Sequence, residues 1–410
     1  MRSASKPRPD AGISALEFVG VAMVAASVIG VVSYVVAPDY VREVASTAVC
    51  RILSQDGCGD IGGPGSAPDG KTMCERATAG SAWFGGDSYA SGEGLPTYEE
   101  GTDVPGVNWK NPITWWPTNW GKERNMCHRS GTSYQAQTFE TLQGKGAFEG
   151  QQYSSGACSG STVPNIYDKN EQGNAGEGPQ MYQEPTTADE ENPFDNIPED
   201  VSLISLSMGG NDVGFGDVLT NCVTGIFGSG CGDTERLKGE IDKVYGTGKA
   251  DQVGTLEYQL RKLKDEHPDA RIIVMGYPEL FAETSPFLLD ENGDIVITPP
   301  GPSGLGGGPV LTWNGSGMSI EDQKWANDLA GEINQSGQAM ADRLGIEWVD
   351  PTDVFVGPGY DHRIGSEDPW INGLSAGDHS GDWTVNKGSF HPNQGGHDAM
   401  AGLLLERVGC

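Results

Sequence analysis

The stretch VSLISLSM, residues 201–208, is a short and nearly continuous apolar run that leads into the turn-forming residues GGND. ARIIVMGYP (270–278) has the same character, and GIEWVDPTDVF (345–355) is a third such run. Short apolar runs that end in turn signals are typical of strands buried on both faces of a sheet. The three stretches therefore predict strands of a buried, mostly parallel sheet.

Helical patterns separate these predicted strands, because apolar residues recur there at the three- and four-residue spacings of a buried helix face. Strand and helix in alternation predict a three-layer α/β/α fold with a mostly parallel central sheet. Such a sheet places its site at the carboxyl ends of its strands. The residues of the two helix faces are Leu256, Leu260 and Leu263, then Ala326, Leu329, Ile333, Met340 and Leu344, with Ser319 as the expected cap of the second helix.

The charge of the chain argues against a nucleic-acid partner. Its 410 residues include 57 Asp and Glu against 26 Lys and Arg, a formal net charge of -31, whereas binding phosphates requires a basic patch. The acidic run TTADEENPFDNIPED (186–200) lacks the ligand spacing of a calcium loop, so we expect a solvated loop there. We expect no metal ion and no other cofactor.

The N-terminal part contains an apolar segment of 25 residues, 13–37, with Glu17 as its one charge. This length is enough to cross a bilayer as a helix. Basic residues precede the segment and acidic residues follow it, so the positive-inside bias places residues 1–12 in the cytoplasm and the remainder outside the membrane. The alternative is a secretory signal cleaved after Ala37, which would release the chain.

The sequence DAGISALEF (10–18) also resembles a prepilin-type leader, in which a glycine precedes a segment with glutamate at its fifth position. In this chain those residues are Gly12 and Glu17. The resemblance implies a cleavage that removes only residues 1–12 and leaves the helix as an anchor.

The Gly-, Pro- and Ser-rich composition of residues 38–73 predicts a linker or stalk. The folded domain is expected over residues 74–410. Two insertions are expected to interrupt it, near 164–200 and near 284–318, and the second contains an Asn-Gly hairpin signal.

The stretch GDSYASGEG (86–94) places Ser88 in a glycine-rich setting that, taken alone, favours a turn. Three further stretches follow in order: ACSGST (157–162), SMGGNDVGF (207–215) and SFHPNQGGH (389–397). Together they resemble the sequence blocks of the SGNH or GDSL-type hydrolases. Other stretches resemble the secreted actinobacterial esterases and lipases of that family, namely CHRSGTSY (127–134), VMGYPELF (274–281) and GSEDPWINGL (365–374).

The resemblance implies the flavodoxin-like SGNH-hydrolase fold and a site for ester hydrolysis. Ser88 would be the nucleophile and His391 the general base. The oxyanion hole would consist of the backbone N–H groups of Ser88 and Gly160 and the side-chain amide of Asn211. Each residue also has a structural interpretation, as a turn glycine, a cap or a loop histidine.

One position departs from the family, because its usual aspartate three residues before the histidine is Gly388 here. The resemblance therefore implies a Ser-His dyad in which the backbone carbonyl of Gly388 orients His391. Asp382 is the alternative acid. His397, expected at the start of the final helix, is the alternative base.

Three residues beside these blocks receive no catalytic role. Asp87 is expected to hold the turn at the nucleophile by accepting backbone N–H groups. Asp212 is expected to be structural. Tyr89 stands where the name GDSL has a leucine, a replacement that leaves the nucleophile intact.

Eight cysteines in an exported chain favour disulfides, since the space outside the membrane is oxidising. The resemblance pairs Cys127 with Cys158 and Cys222 with Cys231. The remaining expected pairs are Cys50 with Cys58 in the stalk and Cys74 with Cys410 across the ends of the domain.

These features predict a membrane-anchored, outward-facing serine esterase or lipase with a monomeric catalytic domain and a small-molecule or lipid ester as substrate. One alternative is a carbohydrate O-deacetylase, which would use the same residues on another acyl donor. The other is a catalytically inactive surface-binding module. Turnover of p-nitrophenyl esters separates the enzymes from the binding module.

Overall fold

The computed structural model describes residues 71–103, 125–167, 197–216, 219, 234–245, 254–283, 320–373 and 388–410. The predicted membrane segment, nearly all of the stalk and most of both predicted insertions lie outside these residues. In the described ranges, no helix is long and apolar enough to cross a membrane. The chain divides into two compact units, Met1–Glu75 with Gly409 and Arg76–Val408 with Cys410, and the central sheet belongs to the second.

Parallel strands form the central sheet in the spatial order β1-β2-β3-β4. All of β2 is buried, as expected for a strand covered on both faces. The third predicted strand is shorter than its apolar run, because the carboxylate of Asp350 accepts the backbone N–H of Thr352 at 2.9 Å and a short helix begins there. The strands are β1 Ser81–Gly86, β2 Val201–Ser207, β3 Arg271–Met275 and β4 Glu347–Val349.

A short extended segment lies against the free edge of β1. Ser155 forms a parallel bridge with Phe84. Gly156 donates its N–H to the Phe84 carbonyl at 2.8 Å, and Cys158 donates to the Gly86 carbonyl at 2.9 Å. With this segment second in chain order, the sheet has the flavodoxin-like order 2-1-3-4-5, whose switch point beside β1 is where α/β proteins of this type bind ligands.

Helices connect the strands, and a two-stranded hairpin precedes the last long helix. The helices are α1 Met73–Ala77, α2 Ser88–Ser91, α3 Tyr134–Gly144, α4 Gly210–Val213, α5 Thr234–Val244, α6 Leu256–Glu266, α7 Ile320–Leu344, α8 Thr352–Phe355 and α9 Gln394–Val408, and the hairpin strands are β5 Val356–Gly357 and β6 Tyr360–Asp361.

Two neighbouring residues of β4 show that helices cover both faces of the sheet. Successive side chains of a strand point to opposite faces. Glu347 lies 3.8 Å from Arg407 of α9, whereas the ring of Trp348 lies against Gly337 of α7, where an added Cβ would come within 2.4 Å of it. The predicted three layers are therefore present.

The two predicted helix faces are also present. α6 buries Leu256, Leu260 and Leu263, and α7 buries the apolar residues predicted for it. Ser319, the expected cap of α7, lies outside the described residues.

Candidate active site

Ser88 follows β1 at the carboxyl edge of the sheet and opens the short helix α2. Gly86 has a φ of +129°, and a Cβ there would lie 2.3 Å from the Ser207 carbonyl oxygen, so the turn requires glycine. Asp87 caps α2 by accepting the backbone N–H of Tyr89 at 3.1 Å. The strand end and the cap together fix the position of Ser88.

His391 reaches Ser88 from the loop before α9. Its Nε2 lies 2.8 Å from Ser88 Oγ, and its Nδ1 lies 2.9 Å from the carbonyl oxygen of Ser389. A carbonyl can only accept, so this contact is a hydrogen bond only when Nδ1 carries the proton. Nε2 is then free to accept the proton of the Ser88 hydroxyl, as a general base requires.

The orienting carbonyl belongs to Ser389 and not to Gly388, which corrects the sequence-based expectation. The Gly388 carbonyl instead accepts the backbone N–H of His391 at 3.3 Å. The reason is the backbone of Phe390, whose φ of 65° lies in the left-handed region and turns the preceding carbonyl towards the imidazole. Asp382 lies outside the described residues.

Replacing Asp382 with asparagine is expected to lower kcat less than about tenfold. The Ser389 carbonyl already selects the tautomer of His391, whereas loss of the orienting carboxylate of a true triad costs about 10⁴ in kcat. Steady-state hydrolysis of p-nitrophenyl acetate by the folded variant checks this. A loss of three or more orders of magnitude would place Asp382 among the catalytic residues.

The structure brings two of the three expected oxyanion donors into neighbouring positions. The side-chain amide of Asn211 donates to the carbonyl of Ser161 at 2.8 Å, which holds Asn211 beside the loop that contains Gly160. An amide group has two N–H donors, so one remains for a ligand. Within the described part of the chain, the backbone N–H groups of Ser88 and Gly160 donate to no other group.

A buried hydrogen-bond chain connects the nucleophile turn to the loop of Asn211. The hydroxyl of Tyr277 donates to Asp87 Oδ2 at 2.5 Å and accepts the backbone N–H of Gly210 at 2.9 Å. Burial raises the pKa of Asp87 to about 7, even though the hydrogen bond from Tyr277 acts to lower it. The motif VMGYPELF contains Tyr277, but sequence reasoning gave this residue no role.

Asp212 lies in the stretch SMGGNDVGF and contacts the backbone directly after the stretch ACSGST. Both of its carboxylate oxygens accept the backbone N–H of Val163, at 3.0 and 2.9 Å. Burial raises its pKa to about 7. This contact agrees with the structural role expected for Asp212.

Among the described residues, no group of three or more His, Cys, Asp or Glu is arranged to hold a metal ion.

A second unpredicted pair fixes the segment after the nucleophile. The buried carboxylate of Glu93 lies 2.5 Å from Nδ1 of the buried His128 and accepts the Tyr98 hydroxyl at 3.1 Å. The rings of Tyr98 and His128 stack with centroids 4.5 Å apart. The stretches GDSYASGEG and CHRSGTSY contain both partners, yet neither stretch indicates that they meet.

His397, the alternative base, has a structural position. It is fully buried in α9, and its Nδ1 accepts the backbone N–H of Tyr134 at the start of α3 at 3.2 Å. Burial, with a smaller contribution from the charge of His391, lowers its pKa to about 3. The structure therefore brings His391, and not His397, to Ser88.

Replacing His397 with glutamine is expected to reduce the acid sensitivity of the fold. The unfolded chain takes up this proton below about pH 6.5, whereas the folded chain does so only near pH 3. Acidification from pH 7.5 to 5.5 should therefore cost wild type about 1 kcal/mol of unfolding free energy through this residue.

Urea denaturation of both proteins at the two pH values measures the effect. Through the raised pKa values of Asp87 and Asp212, acidification increases the free energy of unfolding, because the folded state binds more protons than the unfolded state. This contribution is the same in wild type and variant, so it cancels in the comparison. If the free energy of unfolding of the two proteins changed equally with pH, this would contradict the low pKa assigned to His397 in the folded state.

The structure pairs Cys127 with Cys158, the pair that the family resemblance implies. This disulfide ties the segment after the nucleophile to the second sequence block. Of the four described cysteines none is free, and Cys74 and Cys410 are each disulfide-bonded. The pairing of Cys74 with Cys410 stays a prediction. The remaining four expected cysteines, Cys50, Cys58, Cys222 and Cys231, lie outside the described residues.

The order of these groups along the chain corresponds to a known family. The model of the GDSL-like lipase/acylhydrolase family matches residues 84–399, a range that includes Ser88, Gly160, Asn211 and His391. The chain belongs to this family. As a GDSL-like hydrolase it acts on carboxylic esters.

Curated relatives of this GDSL-like hydrolase come from Streptomyces. An esterase of Streptomyces scabiei is 23% identical over 360 residues, which covers 84% of this chain and 90% of the relative. A lipase of Streptomyces rimosus is 23% identical over 317 residues, covering 76% and 80% respectively. Lipase 1 of Streptomyces coelicolor is 25% identical over 194 residues, covering 47% of this chain and 55% of the relative, so the match spans about half of that protein.

Two solved structures from the same genus are similar over most of the chain. Phospholipase A1 from Streptomyces albidoflavus is 20% identical with a TM-score of 0.48, covering 81% of this chain and 99% of the other. The extracellular lipase from Streptomyces rimosus is 21% identical with a TM-score of 0.44, covering 80% and 99%.

Proposed function

We propose that this GDSL-like hydrolase is a serine esterase or lipase that works through an acyl-enzyme on Ser88, with His391 as general base. One observation carries the proposal, the 2.8 Å contact between Ser88 Oγ and His391 Nε2. The Ser389 carbonyl supports it by holding Nδ1 of the same ring in its protonated form.

In the acylation step, Nε2 of His391 accepts the hydroxyl proton while Oγ of Ser88 attacks the ester carbonyl carbon. The tetrahedral intermediate collapses, the bond to the alcohol oxygen breaks, and His391 returns the proton to the leaving alcohol. A water molecule then repeats the sequence on the acyl-enzyme, with His391 again as base, and releases the carboxylic acid.

The negative charge of the intermediate needs donors that are already in place. The backbone N–H groups of Ser88 and Gly160 and the second N–H of the Asn211 amide are available for this role. Donors fixed before the reaction stabilise the developing oxyanion without reorganisation, and each is worth about 2.7 to 4 kcal/mol.

A panel of p-nitrophenyl esters from acetate to palmitate tests the proposed activity with the full-length chain in a mild detergent. Turnover supports an esterase, and a preference for long acyl chains supports a lipase. Release of acetate from acetylated oligosaccharides, measured by titration of the acid formed, identifies a deacetylase instead. Absence of turnover on every substrate would favour the binding module and contradict the proposal.

We also propose that residues 13–37 anchor the enzyme in the membrane with the catalytic domain outside the cell. A helix of this length and hydrophobicity does not depend on charge to stay inserted. The full-length chain should therefore remain with membranes after carbonate and high-salt washing. Recovery of a soluble chain that begins beyond residue 37 would show a cleaved signal and overturn the anchor.

A further inference from the structure

Tyr89 lies directly after the nucleophile, but its side chain contacts the segment that carries the base. Its hydroxyl donates to the carbonyl of Phe390 at 2.7 Å, and both residues are buried. We propose that Tyr89 is a positioning residue, whose hydroxyl holds the loop of His391 in the conformation that base catalysis requires. The inference rests on the proposed function of Ser88 and His391.

The backbone of Phe390 explains why the loop needs such a restraint. Its φ of 65° is uncommon for a residue other than glycine, and an aromatic residue does not adopt it without support from its surroundings. The Ser389 carbonyl on one side of this residue accepts from Nδ1 of His391. A return of Phe390 to an ordinary φ would turn that carbonyl away from the imidazole. The hydrogen bond from Tyr89 opposes this change, because it fixes the next carbonyl along the chain.

A second set of contacts holds the other side of the loop. The carbonyl of Asn372 accepts the N–H of Phe390 at 3.0 Å, and the N–H of Asn372 donates to the carbonyl of His391 at 2.8 Å. The side-chain amide of Asn372 donates to the Gly94 carbonyl at 3.0 Å. These contacts restrain the loop through its backbone, whereas Tyr89 links it directly to the segment of the nucleophile.

Tyr89 is itself held firmly enough to act as a restraint. Its backbone N–H donates to Asp87, and its ring packs edge-on against Tyr277 with centroids 5.1 Å apart. The same ring lies 5.1 Å from the imidazole of His391. Burial raises the pKa of the Tyr89 phenol, so the hydroxyl stays protonated and remains a donor.

The substitution Tyr89→Phe tests the role, because it keeps the ring and removes only the donor. We expect kcat to fall about tenfold to a hundredfold with KM changed less than about twofold, since a catalytic group displaced by about 1 Å can cost 10² in rate. The rate constant for modification of Ser88 by a fluorophosphonate should fall by the same factor. Thermal unfolding and circular dichroism establish that the variant is folded.

Tyr153→Phe is the matched control. It removes the hydroxyl of a partly buried tyrosine, whose ring packs against Phe84 and Phe139 and whose hydroxyl lies near Ser133 and Ser155. We expect this control to leave kcat and the labelling rate constant within about twofold of wild type. A positioning role then shows as a loss of rate in Tyr89→Phe alone.

Incorporation of 4-aminophenylalanine at position 89 restores an N–H donor at the end of the ring, and we expect it to recover most of the lost rate. Should Tyr89→Phe fail to fold, Tyr89→Leu serves as the variant without a donor. A folded variant without a donor that labels and turns over like Tyr153→Phe would overturn the positioning role alone. A wild-type protein that is not labelled at Ser88 would overturn the proposed function as well.

Discussion

Ser88→Ala is expected to lower kcat for p-nitrophenyl ester hydrolysis by about 10⁴-fold to 10⁶-fold, since loss of a catalytic serine in a hydrolase of this mechanism has effects of that size. Without Oγ no acyl-enzyme can form. The N–H groups proposed for the oxyanion hole remain, and we expect them to account for the residual rate. Steady-state kinetics measures the loss, and a fluorophosphonate should no longer modify the variant.

Ser205→Ala is a matched control for this prediction. It removes another buried serine hydroxyl, one that has no hydrogen-bond partner in the described part of the chain, from the central strand β2. We expect it to keep wild-type kcat. Retention of substantial activity by Ser88→Ala would show that the ester is hydrolysed by another group.

His391→Ala is expected to cost about as much as Ser88→Ala, because the two side chains act as a unit. The hydrogen bond between Oγ and Nε2 makes the proton of Ser88 transferable only while the imidazole is present. The double variant should therefore be no slower than either single variant, as in other enzymes with a paired nucleophile and base.

A double-mutant cycle tests whether the two side chains act as a unit. It compares kcat of the wild type, the two single variants and the double variant. His397→Gln is the matched control, since it changes the other histidine of the same region, and its kcat at pH 7.5 should stay close to wild type. Losses that multiply in the double variant would show that Ser88 and His391 act independently.

The strands could be predicted because burial on both faces leaves a nearly continuous apolar run, and the helices because burial of one face leaves apolar residues at three- and four-residue spacings. The run of β2 and the Leu256, Leu260 and Leu263 face of α6 each reflect one element packed against a core. The end of β4 was less predictable. Its apolar run continues past Asp350, and the side-chain hydrogen bond that starts α8 is a local polar contact without periodicity.

Within the site, the sequence identified the residues that meet but not every group that orients them. Ser88 and His391 are 303 positions apart and lie in hydrogen-bond contact. The choice of Ser389 over Gly388 depends on the left-handed backbone of Phe390, which no propensity predicts for an aromatic residue. The contacts of Tyr89 and Tyr277 depend on how segments distant in the sequence pack together. Residue type alone does not show where these two side chains point.

The most direct test of the account is to identify the residue that a fluorophosphonate modifies in the wild-type protein. Intact-mass measurement followed by peptide mapping should show one adduct per chain, on Ser88, formed at a rate that falls sharply in His391→Ala. An adduct on a different serine, or no adduct in protein that hydrolyses esters, would contradict the assignment of Ser88 as the nucleophile.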